Sequence, residues 1–278
     1  MLKYFPDNKV VNSIVSSTIF LKYAFLDRFY LYRGRLTDNS SKTNPGLVSV
    51  LIPTYNRCQI ILERALPSVL SQTYENFEIV IVDDGSSDNT YETLKALNNP
   101  KINILRNSRK SYRYPNRALY HWFTGGVSAL NKGLPHCKGE YVARIDDDDI
   151  WTEDHLEKLL TFLKTTESEF VYSHILAKMS NSGEEEVITN VPDRLGNTCT
   201  WFFKSYLKYF EMNIHCWRKG HNRVFDVDVH NRMFQAGVKI NYLEEVTAIY
   251  LPRPGEEFAG SQAYIQNASK VEETHKIY

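Results

Sequence analysis

Residues 77–90 read FEIVIVDDGSSDNT. Phe77 to Val82 is an apolar run interrupted only by Glu78, which suits a strand buried on both faces. Two aspartates and a Gly-Ser-Ser turn follow, and a helix is expected from about Asn89. The same form occurs upstream in LVSVLIPTYNR, 47–57, where a strand over Leu47 to Ile52 precedes a helical stretch from about Gln59 to Leu70. INILR, 102–106, reads as a third strand, Gly126 to Leu134 as a helix and EYVARI, 140–145, as the next strand. Strands alternating with helices predict an α/β fold with a mostly parallel sheet covered on both faces. Such sheets bind ligands beyond the carboxyl ends of their strands. Asp83, Asp84 and the row Asp146 to Asp149 all fall at such ends.

The row lies in YVARIDDDDIW, 141–151. Adjacent carboxylates repel, so several ionised together need a reason. A solvated turn capping the next helix is one reading; a bound divalent cation is the other. Asp146 and Asp148, two apart, point the same way in an extended segment. Neither GxxxxGK[ST] nor GxGxxG is present, so a glycine-loop phosphate site is not indicated. A diphosphate would instead be bridged to carboxylates through Mg²⁺ or Mn²⁺, hard ions that select oxygen.

The remaining composition narrows the class. At 278 residues the chain is long enough for one large domain with appendages. Lys+Arg and Asp+Glu both total 33, which gives no global attraction to nucleic acid. Cys58, Cys137, Cys199 and Cys216 form no CxxC pair, so neither a zinc knuckle nor a disulfide framework is expected, and a reducing, cytoplasmic setting fits. Residues 1–46 read as a helical extension and linker, with Val11, Ile14, Val15, Thr18, Leu21, Phe25 and Leu31 at roughly helical spacing. Seven basic residues stand there against three aspartates, so residues 1–35 are expected either to pack on the domain or to touch an anionic membrane at its inner face. The body is expected over 47–251, divided into halves at 47–150 and 151–251, with a tail over 252–278. Within the second half, FVYSHILAKMSNSGEEEVIT reads as a hairpin turning at Asn181 to Gly183, and KINYL and VTAIYL as two late strands.

The acidic edge resembles the family 2 glycosyltransferases, which have the GT-A fold. VSVLIPTYNR is similar to the family's opening strand and base-binding loop, and SVLSQTYENFEIVIVDDGSSDNT to its second strand and acidic nucleotide-binding turn. GGVSALNKGL is similar to the helix before the metal motif, GEYVARIDDDDIW to the DxD element, and FDVDVHNRMFQAG to the segment that carries the catalytic base. The resemblance implies a GT-A sheet with a variable acceptor half. It implies that Pro53, Thr54 and Tyr55 line the base pocket, that Asp84 accepts a hydrogen bond from the base, and that Asn131, Asp146 and Asp147 belong to the nucleotide site. Asp148, with Asp146, would hold Mn²⁺ or Mg²⁺, and Asp226 would be the general base of an inverting transfer. Phe225 stands where the family usually has Glu, and Leu130 where many members have Arg; Asp228 is a rival to Asp226.

The implied partners are a nucleotide-sugar donor, most readily a UDP-sugar, and a glycan, glycoconjugate or lipid-linked acceptor. Two other classes are compatible with an acidic α/β edge: a sugar-nucleotide nucleotidyltransferase and a non-catalytic GT-A-like binding protein. The first would want glycines in the first strand–helix turn, which PTYNRCQ lacks; the second would be expected to lose the metal acid or the base. The stretch from Lys101 to Gly139 carries eight basic residues and no acid, and is expected to border the site through Arg109, Lys110, Arg113 and Arg117.

Overall fold

A computed structural model of the chain describes residues 8–38, 44–108, 114–115, 118–178, 185–188, 198–219 and 224–253. In chain order its elements are α1 (Lys9–Thr37), β1 (Asn44–Thr54), α2 (Cys58–Glu63), α3 (Ala65–Leu70), β2 (Phe77–Asp83), α4 (Thr90–Ala96) and β3 (Ile102–Arg106). Next come α5 (Ala118–Thr124), α6 (Val127–Gly133), β4 (Gly139–Arg144), β5 (Ile150–Trp151), α7 (His155–Thr165) and β6 (Phe170–Lys178). The chain continues through β7 (Glu185–Ile188), β8 (Phe202–Lys204), α8 (Phe225–Ala236) and β9 (Ile240–Tyr250). The sheet order is β3-β2-β1-β4-β8-β6-β9-β5, with β7 added beside β6. β3, β2, β1 and β4 are mutually parallel, while β8 runs antiparallel to both β4 and β6. The half over 47–150 thus contains the parallel sheet that alternation predicts.

Strand periodicity explains the two cores. Val48, Val50 and Ile52 point to one face, where Ile61, Leu66 and Val69 of α2 and α3 meet Leu156, Leu159 and Leu163 of α7. Leu51, Val80, Val82 and Val142 point to the other, against α6 and α8 and the aromatic cluster Trp201, Phe203 and Phe210. The aromatic run 201–210 is therefore mostly core.

Several expected elements differ in form. The helix expected from Gln59 to Leu70 breaks at Arg64 into α2 and α3. Pro67 lacks the N–H that would bond Glu63, and its ring crowds that carbonyl. The two late strands are one strand, β9, whose register against β6 jumps from Ser173↔Leu243 to His174↔Val246. Glu244 and Glu245 are accommodated in that bulge, and the break in apolar pattern reflects it. The short strand β5 directly after the acidic row escapes sequence detection because two residues carry no period. β6 and β7 do pair as an antiparallel hairpin; its turn, Asn181 to Gly183, lies outside the described residues, as do Arg109, Lys110, Arg113 and Arg117.

Helix α1 packs on the body through Tyr23, Asp27, Leu31 and Gly34. A Cβ on Gly34 would come within 2.6 Å of the Tyr206 ring, so this close approach needs glycine. Asp27 is buried against Arg232 of α8, at 2.8 Å. At the helix end Arg35 forms a two-pronged pair with Glu169, both contacts at 2.6 Å. The apolar positions read from the sequence lie largely on another face of α1, and only Leu31 is shared with the packing stripe.

Candidate active site at the carboxyl edge of the sheet

Parallel register brings the acids together. Thr54 at the end of β1 lies opposite Asp83 of β2, and the Asp84 N–H bonds the Thr54 carbonyl at 2.8 Å. β4 ends at Arg144, so Asp146 to Asp149 emerge beside the same edge. Thr54 Oγ1 donates to Asp147 Oδ2 at 2.8 Å, which ties the first strand to the acidic row. Asn56, in the left-handed region at φ 52°, accepts from the Ser87 N–H and donates its own N–H to Ser86 Oγ. The loops after β1 and β2 are thereby locked edge to edge. Pro53 pairs with Val82 inside the sheet, and Tyr55 projects from the edge at 44% exposure.

The four aspartates have four environments. Asp146 is the most open, with a side chain 30% exposed; Arg144 Nη2 reaches its Oδ1 at 2.7 Å and Thr198 Oγ1 its Oδ2 at 3.3 Å. Asp147 is buried with Arg57, and burial pushes its pKa up to about 6 against the pull of that guanidinium. Asp148 is also buried. Burial alone would raise its pKa, yet Arg253 at 2.6 Å and Arg57 at 3.3 Å together hold it below the ordinary value. Asp149 is fully buried with the Cys199 thiol near it, and burial, then Asp148 and Asp146, push its pKa well up. The neutral acid is therefore favoured at Asp149, which relieves the repulsion a row of four charges would carry.

Asp84 lies half-buried beyond β2. Its Oδ1 accepts from Asn107 Nδ2 at 2.7 Å and its Oδ2 from the Tyr114 hydroxyl at 2.5 Å. Asn131, on α6, uses its amide elsewhere: Nδ2 donates to the Met212 carbonyl and Oδ1 accepts from the Met212 N–H, both at 2.8 Å. It clamps the backbone at Met212, within the second half of the body.

Asp226 stands in the first turn of α8, half-buried. Burial raises its pKa; the nearby Arg144 opposes this and Asp146 adds to it. Arg144 is 4% exposed, and its Nε and Nη1 have no hydrogen-bond partner among the described residues. It lies over Phe225, 5.4 Å from the ring centroid, so the residue in the place of the family's Glu supports this arginine. Asp228, the rival base, is wholly buried between Lys219 and Arg232, and Arg232 also holds Asp27. Both its oxygens are committed to a structural ion network, which leaves Asp226 as the acid facing the row.

Reading the sequence missed four arginines. Arg57 and Arg144 lie inside recognised stretches, but nothing in their spacing assigns them a partner. Arg64, at the helix break, bonds the Asp148 carbonyl at 3.1 Å and the Pro252 carbonyl at 2.9 Å, and so draws Arg253 to the acids. The division expected at Leu251 cuts through this contact.

Asp146 and Asp148 fit a hard divalent cation in donor type, both being carboxylates, and Arg144, Arg57 and Arg253 hold their oxygens in its place. No group of three or more His, Cys, Asp or Glu side chains is preformed for a metal among the described residues. A surface cleft of about 550 Å³, lined by Arg35, Asp38, Tyr141, Lys204 and Lys239, opens at the opposite end of β4 and takes in none of these acids.

Comparison with known proteins agrees with this fold. The chain is 32% identical over 128 residues to the UDP-Glc:α-D-GlcNAc-diphosphoundecaprenol β-1,3-glucosyltransferase WfaP of Escherichia coli, covering 46% of this chain and 45% of that protein. It is 37% identical over 121 residues to the putative colanic acid biosynthesis glycosyl transferase WcaA of Escherichia coli K12, covering 43% and 38%. The matches thus span less than half the length of these curated relatives. Staphylococcus aureus TarS 1–349 in complex with UDP-GlcNAc shares the fold at TM-score 0.55 and 20% identity, over 76% of this chain and 60% of that one. The Pyrobaculum calidifontis mannosyltransferase PcManGT, in complex with GDP-Man and Mn²⁺, does so at 0.53 and 18%, over 92% and 70%. The description Glycosyl transferase family 2 matches residues 49–234, more than half of the sequence, and the chain belongs to that family.

Proposed function

We propose that the chain transfers a sugar, with inversion, from a UDP-sugar to a hydroxyl of a lipid-linked glycan at the cytoplasmic face of a membrane. The observation that carries this reading is the convergence of Asp84, Asp146, Asp148 and Asp226 at one sheet edge, with Arg144 between the DxD-like acid Asp146 and Asp226. Asp226 would take the acceptor proton while that oxygen attacks the anomeric carbon from the side opposite the diphosphate. Its raised pKa favours this role, because a base works best near the operating pH. Tyr55, Pro53 and Thr54 would hold the base of the nucleotide. Asp84 would accept a hydrogen bond from that base. Asp146 and Asp147 would face the ribose and the inner edge of the site. Mn²⁺ or Mg²⁺, held by Asp148 and Asp146, would neutralise charge on the departing diphosphate.

The lipid-linked acceptor is supported by the name of WfaP, whose acceptor is a sugar on diphosphoundecaprenol. The test is a donor panel with Mn²⁺ or Mg²⁺, reading released nucleoside diphosphate with and without a lipid-linked acceptor. Release from one donor, faster with acceptor and abolished by chelation, is expected. No release from any donor would overturn the reading.

A further inference from the structure

Helix α1 has two apolar stripes, and only one packs on the body among the described residues. Tyr23, Asp27, Leu31 and Gly34 face the body. Val10, Ile14, Leu21, Phe25, Tyr32 and Leu36 recur at steps of 4, 7, 4, 7 and 4 and all face solvent, with Leu21 at 69% and Phe25 at 72% exposure. At 100° per residue these six lie within about 80° of one another, nearly opposite the packed stripe. They extend over about 39 Å of helix. An apolar band of this size is beyond what a soluble surface usually leaves uncovered.

The exposed charged side chains of α1 are all basic: Lys9, Lys22, Arg28, Arg33 and Arg35. Its one acid, Asp27, is buried against Arg232. Lys22 and Arg33 flank the band on one side and Arg28 on the other; Lys22 is 3.6 Å from Glu211, and Arg35 is held by Glu169. The helix is too polar to cross a bilayer. A second copy of the chain fits the band poorly. A coiled-coil seam through Ile14, Leu21, Phe25 and Tyr32 would also bury Thr18, Arg28 and Arg35 at its 3.5-residue period.

We propose that this outer face of α1 lies on an anionic lipid surface, with its apolar band in the interface and its basic flanks at the headgroups. This rests on the proposed function only for the identity of the acceptor. The placement suits that reaction. Arg218, in the turn before α8, donates to Asn12 at 2.6 Å, and Arg28 reaches the Gln235 carbonyl at 3.2 Å. Helices α1 and α8 therefore run side by side in the same direction, and the helix that carries Asp226 is packed on the one that meets the lipid.

The experiment is co-sedimentation of the full chain with phosphatidylglycerol–phosphatidylcholine vesicles and with phosphatidylcholine vesicles alone. The parent is expected to sediment with the anionic vesicles. Leu21→Gln/Phe25→Gln/Leu36→Gln should lower partitioning at least tenfold, and Lys22→Gln/Arg33→Gln should weaken it on anionic vesicles chiefly. Leu97→Gln, at an exposed site on the body, should leave it unchanged. Phe25→Asp alone keeps the test decisive if the triple variant is insoluble. A parent that stays in the supernatant, variants that sediment like the parent, or a dimer by ultracentrifugation that the triple variant loses would each overturn the proposal. Vesicle binding needs no donor, so its failure is separable from failure of the transferase reading.

Discussion

Arg253 Nε lies 2.6 Å from Asp148 Oδ2, so the residue three past the last strand reaches back to the acid expected to hold the metal. Arg57 approaches the same oxygen at 3.3 Å. Two guanidiniums supply the positive charge that a divalent ion would bring. A metal ion must compete with them. Arg253→Gln is expected to tighten Mn²⁺ binding to the nucleotide-free protein by roughly tenfold, the scale of one charged hydrogen bond. Asp148→Asn should abolish metal-dependent nucleotide binding while the fold persists. Calorimetric titration of Mn²⁺, then of UDP with and without Mn²⁺, checks both. Unchanged Mn²⁺ affinity in the two variants would remove Asp148 from the metal site.

Asp226 and Asp228 are two residues apart and should respond oppositely. Asp226→Asn is expected to cut turnover about 100-fold or more with nucleotide affinity nearly unchanged. Asp228→Asn breaks the buried network with Lys219, Arg232 and Asp27. It should cost about 3–5 kcal/mol of stability, as loss of one partner of a buried pair does. Steady-state kinetics beside urea unfolding separates the two. A stable Asp228→Asn protein that has lost only turnover would reverse the assignment.

Much of this was legible in the chain because buried parallel strands are short apolar runs with acids and small residues at one end. The strand from Phe77 needed nothing more than its apolar run and the turn residues from Gly85. The arginines of the site were not legible. Arg253 is close to Asp148 only because β9 pairs with β5 and Arg64 anchors the chain beyond it. Such a contact depends on tertiary closure and leaves no local pattern. Asn131 lies in a recognised stretch yet serves the Met212 backbone, because the amide that could meet a nucleotide is also the best clamp for a loop.

Gly133 should tolerate no side chain. A Cβ there would fall 2.3 Å from Leu51 Cδ1 and 2.8 Å from Val82 Cγ2, between α6 and the sheet. Gly133→Ala is expected to destabilise by about 1–3 kcal/mol through overpacking. A melting temperature equal to the parent's would show that α6 can shift outward freely.

The contribution of the buried histidines to stability should be lost in acid. His155 is stacked on Trp151 at 4.0 Å, with Nδ1 2.7 Å from Thr247 Oγ1, and burial lowers its pKa to about 3. Burial lowers that of His230 to about 4. A histidine with a depressed folded pKa binds fewer protons folded than unfolded, so its contribution is intact above the unfolded pKa of about 6.5. It is lost as pH falls from there toward the folded value, at up to about 1.4 kcal/mol per pH unit for each group. The buried carboxylates Asp147 and Asp226, whose folded pKa values are raised, act with the opposite sign in parent and variant alike, so the urea midpoint of the parent should fall relative to that of His155→Phe as pH drops from 7 to 4.5. A slope unaltered in that variant would assign the acid sensitivity to other groups.

Arg144 is expected to set the pH at which Asp226 works. Its guanidinium is buried, bonded to Asp146 at 2.7 Å, and close enough to Asp226 to oppose the rise that burial causes. Removing the positive charge removes that opposition and leaves burial and the Asp146 carboxylate, both of which favour the protonated acid. The base would then be deprotonated only at higher pH. Arg144→Gln should move the acidic limb of the pH–rate profile upward, with part of the lost activity recovered as pH rises, while Arg144→Lys should keep the limb near its original position. An Arg144→Gln enzyme that is slow at every pH by one constant factor would instead make Arg144 a holder of the acidic turn with no influence on the base.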